Sequence, residues 1–119
     1  MREIKFRAFE KSLGMTLPVD AIDFCENYVV VHIEDNYMEW YLNEAILEQC
    51  TGLKDVNGVD IYEGDIVKAF HNYIDTVIFR IGCFGFDANY NHPFTPLCNL
   101  DGSMEVIGNV HQNPELLEE

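Results

Sequence analysis

Basic residues are scarce: 7 Lys and Arg stand against 21 Asp and Glu, a formal charge of -14. The few cations are also poorly distributed. Arg2, Lys5, Arg7 and Lys11 face only Glu3 and Glu10 at the start, so the rest of the chain carries more than the whole of the net negative charge. Asp20, Asp23, Glu26, Glu34, Asp35, Glu39, Glu44 and Glu48 then follow with no Lys or Arg between them. Contact with phosphates requires the opposite sign, so direct binding of DNA or RNA is not expected. Long apolar runs are missing too. None approaches the roughly 20 residues that span a bilayer, and no apolar signal core follows Met1-Arg2-Glu3-Ile4-Lys5, so a cytoplasmic protein without membrane contact is expected. Cys25, Cys50, Cys83 and Cys98 lie at least 15 residues apart and form no C-x-x-C pair. His32, His71, His92 and His111 are equally scattered. That spacing leaves out the usual zinc and thioredoxin-like motifs, and predicts isolated, buried, reduced thiols with no metal and no cofactor. A nucleophile elbow, a phosphate-cradling glycine loop and an HExxH pattern are likewise missing, and with them the common signatures of hydrolases and nucleotide enzymes.

What remains suits a small folded domain. The 119 residues are 48% hydrophobic and 13% aromatic. A chain of that size buries about two thirds of its unfolded surface, which argues against disorder despite the charge. Ile4, Phe6 and Ala8 alternate with Glu3, Lys5 and Arg7, the period of a half-buried strand over residues 1–9. Lys11 to Pro18, with Gly14, reads as a loop. Ile22-Asp23-Phe24, Tyr28 to Ile33 and Tyr37 to Leu42 are β-branched and aromatic, and Cys25-Glu26-Asn27 and Glu34-Asp35-Asn36 connect them tightly, which makes a meander. Asn43 to Gln49 is open between a capped helical turn and a strand. Asn57-Gly58, between Leu53–Val56 and Val59–Tyr62, predicts a type I′ hairpin with positive φ at both positions. Glu63-Gly64-Asp65 turns into Ile66–Phe70. Thr76–Phe79, Cys83–Phe86 and Met104–Ile107 continue the short strands, a pattern that suggests a small barrel. Asn113-Pro114-Glu115 predicts a final helical turn capped by Asn113.

Three blocks also resemble a known family. Met1-Arg2-Glu3-Ile4-Lys5-Phe6-Arg7-Ala8-Phe9 opens the chain, Thr51 to Gly58 runs on through Ile61 to Lys68, and Glu105 to Val110 with Asn113 to Leu117 closes it. Together they resemble the YopX family of bacteriophages and prophages. The resemblance implies a mainly β fold whose barrel part is SH3-like, a host bacterial cytoplasm as the setting, and no catalytic or ligand-binding residues. Residues 1–119 are therefore expected to form one YopX-like unit, with an acidic, β-rich part at 1–48 and an SH3-like barrel part at 49–119. The glycines of the shared blocks, Gly52, Gly58, Gly64 and Gly108, mark turns or close backbone approaches.

Functional candidates follow from these limits. Tyr37, Trp40 and Tyr41, taken as exposed aromatics, together with Glu34, Asp35 and Glu39, make a candidate interface for a protein partner, a basic one if the acidity is used; self-association is a second mode. An acidic nucleic-acid mimic, occupying the binding surface of a host DNA- or RNA-binding protein, is the alternative. A weaker, enzymatic reading pairs Glu63 with Asp65, or either acid with His71 or His111, because acid/base work needs two groups with separated pKa values. His92-Pro93-Phe94-Thr95-Pro96 holds a P-x-x-P spacing that reads as a docking motif or a loop between strands.

Overall fold

The computed structural model describes residues 4–90, 92–100 and 102–117. The chain is mainly β, entirely antiparallel in its pairing, with short 3-10 turns among the described residues. It divides into two compact units, Met1–Gln49 and Cys50–Glu119.

The first unit is a meander of β1 (Phe6–Glu10), β2 (Met15–Asp23), β3 (Tyr28–Ile33), β4 (Asn36–Tyr41) and the first half of β5 (Ala45–Lys54), in the order β4-β3-β2-β1-β5. Residues 1–3 of the expected first strand lie outside the described residues. Alternate side chains from every strand, Ala8, Leu17, Val29, Val31, Trp40 and Ala45, meet on one face as the core. One expectation is corrected here and one open alternative is decided. The loop after β1 is only residues 11–14, closed by the Gly14 N–H donating to the Glu10 carbonyl at 2.8 Å, and β2 already starts at Met15. Leu17 turns into the core and holds this stretch in the sheet, while Pro18 precedes the first β2–β3 pair, Val19 with Val31, so its missing N–H costs that ladder nothing. Asn43 and Glu44 form a turn and the strand β5 starts at Ala45, because it pairs with β1 from Phe6–Gln49 to Glu10–Ala45, and long-range pairing outweighs a marginal local helix.

In the second unit, β5 ends against β6 (Asp60–Tyr62), and two three-stranded sheets follow. One is β12-β7-β8, from β7 (Asp65–Lys68), β8 (Ile74–Thr76) and β12 (Glu105–Asn109). The other is β11-β10-β9, from β9 (Ile78–Arg80), β10 (Cys83–Phe86) and β11 (Thr95–Pro96). They share one core of Ile61, Val67, Val77, Phe86, Leu97 and Met104, and among the described residues their ladders do not close into a full barrel. Thr76–Phe79 is two strands instead of one. Val77 between them is buried, donates to the Asp65 carbonyl and accepts from the Gly64 N–H, both at 2.9 Å, so the run changes sheets there.

The Asn57-Gly58 hairpin forms, yet not as type I′. Gly58 alone has positive φ, at 81°, and the Gly58 N–H donates to the Asp55 carbonyl at 3.0 Å while the Asp55 N–H donates to the Val59 carbonyl at 2.8 Å. This is a three-residue loop in which the glycine takes the left-handed position. The final turn, Pro114–Leu117, is 3-10, with Leu116 N–H donating to the Asn113 carbonyl at 3.0 Å. Asn113 does not cap it by its side chain. Its Oδ1 accepts from the Asn109 N–H at 3.2 Å, packed so closely over Gly108 that a Cβ there would lie 2.7 Å from that oxygen.

Candidate interaction site

The β3–β4 hairpin builds a continuous outer face. Its register sets Tyr28 opposite Tyr41, Val30 opposite Glu39 and His32 opposite Tyr37, and the period of two sends all six to the side away from the core. The rings pair across the strands, Tyr28 with Tyr41 at 5.9 Å between centroids and His32 with Tyr37 at 5.7 Å. His32 is anchored in turn to β2, its Nδ1 lying 2.7 Å from Asp20 Oδ2. Glu34 and Asp35 form the exposed turn, where Glu34 takes a positive φ of 54°. Glu39 projects between the two tyrosines, and its charge, followed by that of Asp23, pushes the Tyr28 phenol above its ordinary pKa. Tyr37 is 68% and Tyr41 53% exposed. Beyond Tyr41 the face runs into a hollow of about 350 Å3 lined also by Glu26, Asn27, Asn43 and Glu44. β4 is the outer strand of its sheet, pairing with β3 alone among the described residues.

Five of the six expected interface residues thus lie on one hairpin face or its turn. Trp40 is the exception and is corrected: at 7% exposure it packs in the core with Val29, its cross-strand partner, because the pleat that exposes Tyr37, Glu39 and Tyr41 turns Trp40 inward. The thiols need correction too. Cys25 in the β2–β3 turn and Cys98 in a 3-10 turn are exposed, Cys50 and Cys83 are half-buried, and all four are free.

The enzymatic candidates have structural engagements. Asp65 is buried, and its Oδ2 accepts the Tyr62 N–H at 2.8 Å, the strap expected of a turn acid. Glu63 sits in the turn preceding it, and the backbone N–H of His111 donates to Asn109 Oδ1 at 3.0 Å. The side chain of His71 lies outside what the structure describes. Among the described residues no three or more His, Cys, Asp or Glu gather as a metal site, and no helix is long and apolar enough to cross a membrane.

Two constellations escaped the sequence. Asp55, 7% exposed, accepts the Asn57 and Val59 N–H groups on Oδ1 at 2.8 and 2.9 Å and the Val106 N–H on Oδ2 at 3.0 Å, tying the β5–β6 loop to β12. Burial pushes its carboxyl up, but the three donors outweigh that and leave it below the ordinary value. The second gathers around Tyr73. Its hydroxyl donates to Asp75 Oδ2 at 2.7 Å, lies 2.6 Å from His92 Nε2, and accepts from Asn89 Nδ2 at 3.1 Å. Burial, then the bond to Asp75, raises this phenol to about 12. Beside it opens an apolar cleft of about 360 Å3 lined by Ala69, Phe70, Tyr73, Phe86, His92, Thr95 and Leu100. The P-x-x-P stretch adjoins this wall: its end, Thr95–Pro96, forms β11, with Pro96 paired to Gly85, while Pro93 stays exposed outside the strand.

The YopX protein family model matches residues 5–118, nearly the whole chain. The chain belongs to the YopX family. Its fold recurs in protein EF1440 from Enterococcus faecalis, with 27% identity and a TM-score of 0.65, the alignment covering 99% of this chain and 100% of that one. Protein yopX from Bacillus subtilis has the same architecture at 22% identity and a TM-score of 0.69, over the same shares of the two chains. No curated protein matches the sequence. Within this YopX chain, the shared middle block holds both Asp55 and Asp65, carboxylates that bind backbone N–H groups and so serve the fold.

Proposed function

We propose that this YopX-family chain is a non-enzymatic accessory protein of phage or prophage origin, working in the bacterial cytoplasm by binding another protein through its β3–β4 face. The observation that carries this reading is the register of the hairpin, which sets two exposed tyrosines around Glu39 and beside the Glu34-Asp35 turn on an outer strand. Tyrosines supply contact area at low entropic cost, and carboxylates around them favour a basic partner. The non-enzymatic reading is supported by Asp65, which is buried and accepts the Tyr62 N–H as a turn acid does.

The test is affinity capture from host cells with the natural chain, with Tyr37→Ala/Tyr41→Ala, and with Glu34→Lys/Asp35→Lys/Glu39→Lys, at low and moderate salt. A partner lost with both variants supports the reading; one retained by both refutes it. The nucleic-acid mimic is a special case of the same surface, favoured by the absence of any Lys or Arg between Lys11 and Lys54. It requires that duplex DNA or RNA displace the chain from its partner.

A further inference from the structure

We infer that the outer edge of β4 takes up an extended segment of a partner protein, bearing lysine or arginine at alternate positions, as an added antiparallel strand. This rests on the reading of the β3–β4 face and says how that face is engaged. Register decides which backbone groups point outward. The Leu42 N–H donates to the Asn27 carbonyl at 2.8 Å, and alternation along the ladder then makes Val29 with Trp40, Val31 with Met38 and Ile33 with Asn36 the other hydrogen-bonded pairs. The N–H and C=O groups of Tyr37 and Glu39, and the N–H of Tyr41, therefore face away from β3, where no strand among the described residues meets them. The Tyr41 carbonyl accepts from the Glu44 N–H at 3.0 Å, and there the open edge ends.

Edges of this kind are normally blunted by Pro, Lys or a bulge. β4 has none of them, and its pairing with β3 runs without a register shift. What it carries is local negative charge. Glu34 and Asp35 stand at one end, Glu39 in the middle, and Glu26 and Glu44 line the hollow at the other end. Arg7 is tied to Glu48 at 2.8 Å, three strands across the sheet, and Lys11, joined to Glu44 by a backbone bond, does not line the hollow. In an added antiparallel strand, the residues opposite Tyr37, Glu39 and Tyr41 lie about 5.5 Å away between Cα atoms and send their side chains to the same outer face. A lysine or arginine opposite Glu39 then has a carboxylate across from it and an exposed tyrosine ring on either diagonal. The intervening residues turn to the core side, beside the half-buried Met38, and suit apolar side chains. A second copy of the chain fits less well, because the register that uses the whole edge sets Glu39 against Glu39, and like charges directly opposite repel.

The test titrates the whole chain at low salt with capped peptides of about seven residues, enough to span the open edge. One alternates lysine and valine, one alternates glutamate and valine, and one is the lysine peptide methylated on its lysine backbone nitrogens. Hydrogen exchange of single amides is followed by NMR. The lysine peptide should bind saturably and slow exchange at Tyr37, Glu39 and Tyr41 by about tenfold or more. The glutamate peptide should bind at least about tenfold more weakly, and so should the methylated one, which keeps charge and side chains but has no N–H to give the edge. Glu39→Lys, at an exposed position, should weaken the lysine peptide several-fold. The inference is overturned if the methylated or the glutamate peptide binds as tightly as the lysine peptide, or if Glu39→Lys leaves the lysine peptide's binding unchanged in a folded chain. It is overturned too if the three amides are already protected without peptide, as they would be in two copies joined by this edge. Equal binding of the methylated peptide would leave a side-chain contact with the β3–β4 face standing, whereas a partner retained by both face variants in the capture experiment overturns the reading of that face itself.

Discussion

Replacing Asp55 with alanine strips three backbone N–H groups of one shared acceptor, in a loop that the sequence marks by Asn57-Gly58. The Asn57 and Val59 donors lie at the turn, where water can take over part of the loss. The Val106 donor is 51 positions away on β12, and its bond is the one that fastens the hairpin to the sheet. Hydrogen bonds to a charged acceptor contribute about 1.5–3 kcal/mol each. Counting the Val106 bond nearly in full and the turn bonds at a discount gives about 3 kcal/mol for Asp55→Ala at neutral pH. The pH dependence has a definite sign. A carboxyl whose folded pKa lies below its unfolded value stabilises the fold above the unfolded pKa, and that contribution is lost as pH falls through the folded pKa. Asp55 is held below the ordinary 3.8, so the gap between the natural chain and the variant should be full at neutral pH and close progressively below about pH 4. Urea denaturation followed by circular dichroism at pH 7 and at about pH 3 measures both quantities. A loss under about 1 kcal/mol at pH 7, or a gap that widens in acid, would refute the reasoning.

Trp40 is the single tryptophan and lies in the first unit, whereas Asp55 lies in the second. If residues 1–119 unfold cooperatively, Asp55→Ala shifts the Trp40 fluorescence transition by as much as the dichroism; a fluorescence midpoint that stays put would mean two independent units. Gly58→Val should cost more than about 1 kcal/mol, since space for a Cβ is open there and the penalty comes from a β-branched residue at φ 81° alone. An unchanged denaturation midpoint would count against it. Thiol titration of the native protein should modify Cys25 and Cys98 ahead of Cys50 and Cys83, reach four after unfolding, and find no stoichiometric zinc; a tightly held zinc equivalent would overturn the reading.

The strands were legible wherever alternation and turn chemistry agreed. Tyr28–Ile33 and Cys83–Phe86 form as expected because β-branched and aromatic residues are bounded by turn formers. Asn43–Gln49 was open because its fate depends on Arg7 and its neighbours, more than 30 positions away, which local propensity cannot register. Trp40 shares a short aromatic stretch with Tyr37 and Tyr41, but the pleat turns it to the opposite face, a distinction that composition does not carry. The Tyr73 cluster was invisible for a different reason. Its members fall on two short stretches, 73–75 and 89–92, and match no motif, so only the fold brings their polar tips together.

The central claim is that the β3–β4 face recruits a protein partner by charge and tyrosine contact. Stopped-flow association kinetics between the purified partner and the Glu34→Lys/Asp35→Lys/Glu39→Lys variant, across a salt series, test it most directly. Charge attraction acts mainly on encounter, so the variant should associate at least several-fold more slowly than the natural chain at low salt, with the two rates converging as salt is raised and the circular dichroism spectrum unchanged. Equal rates and equal salt dependence in a folded variant would contradict it, and would leave the acidity of this hairpin as a matter of solubility alone.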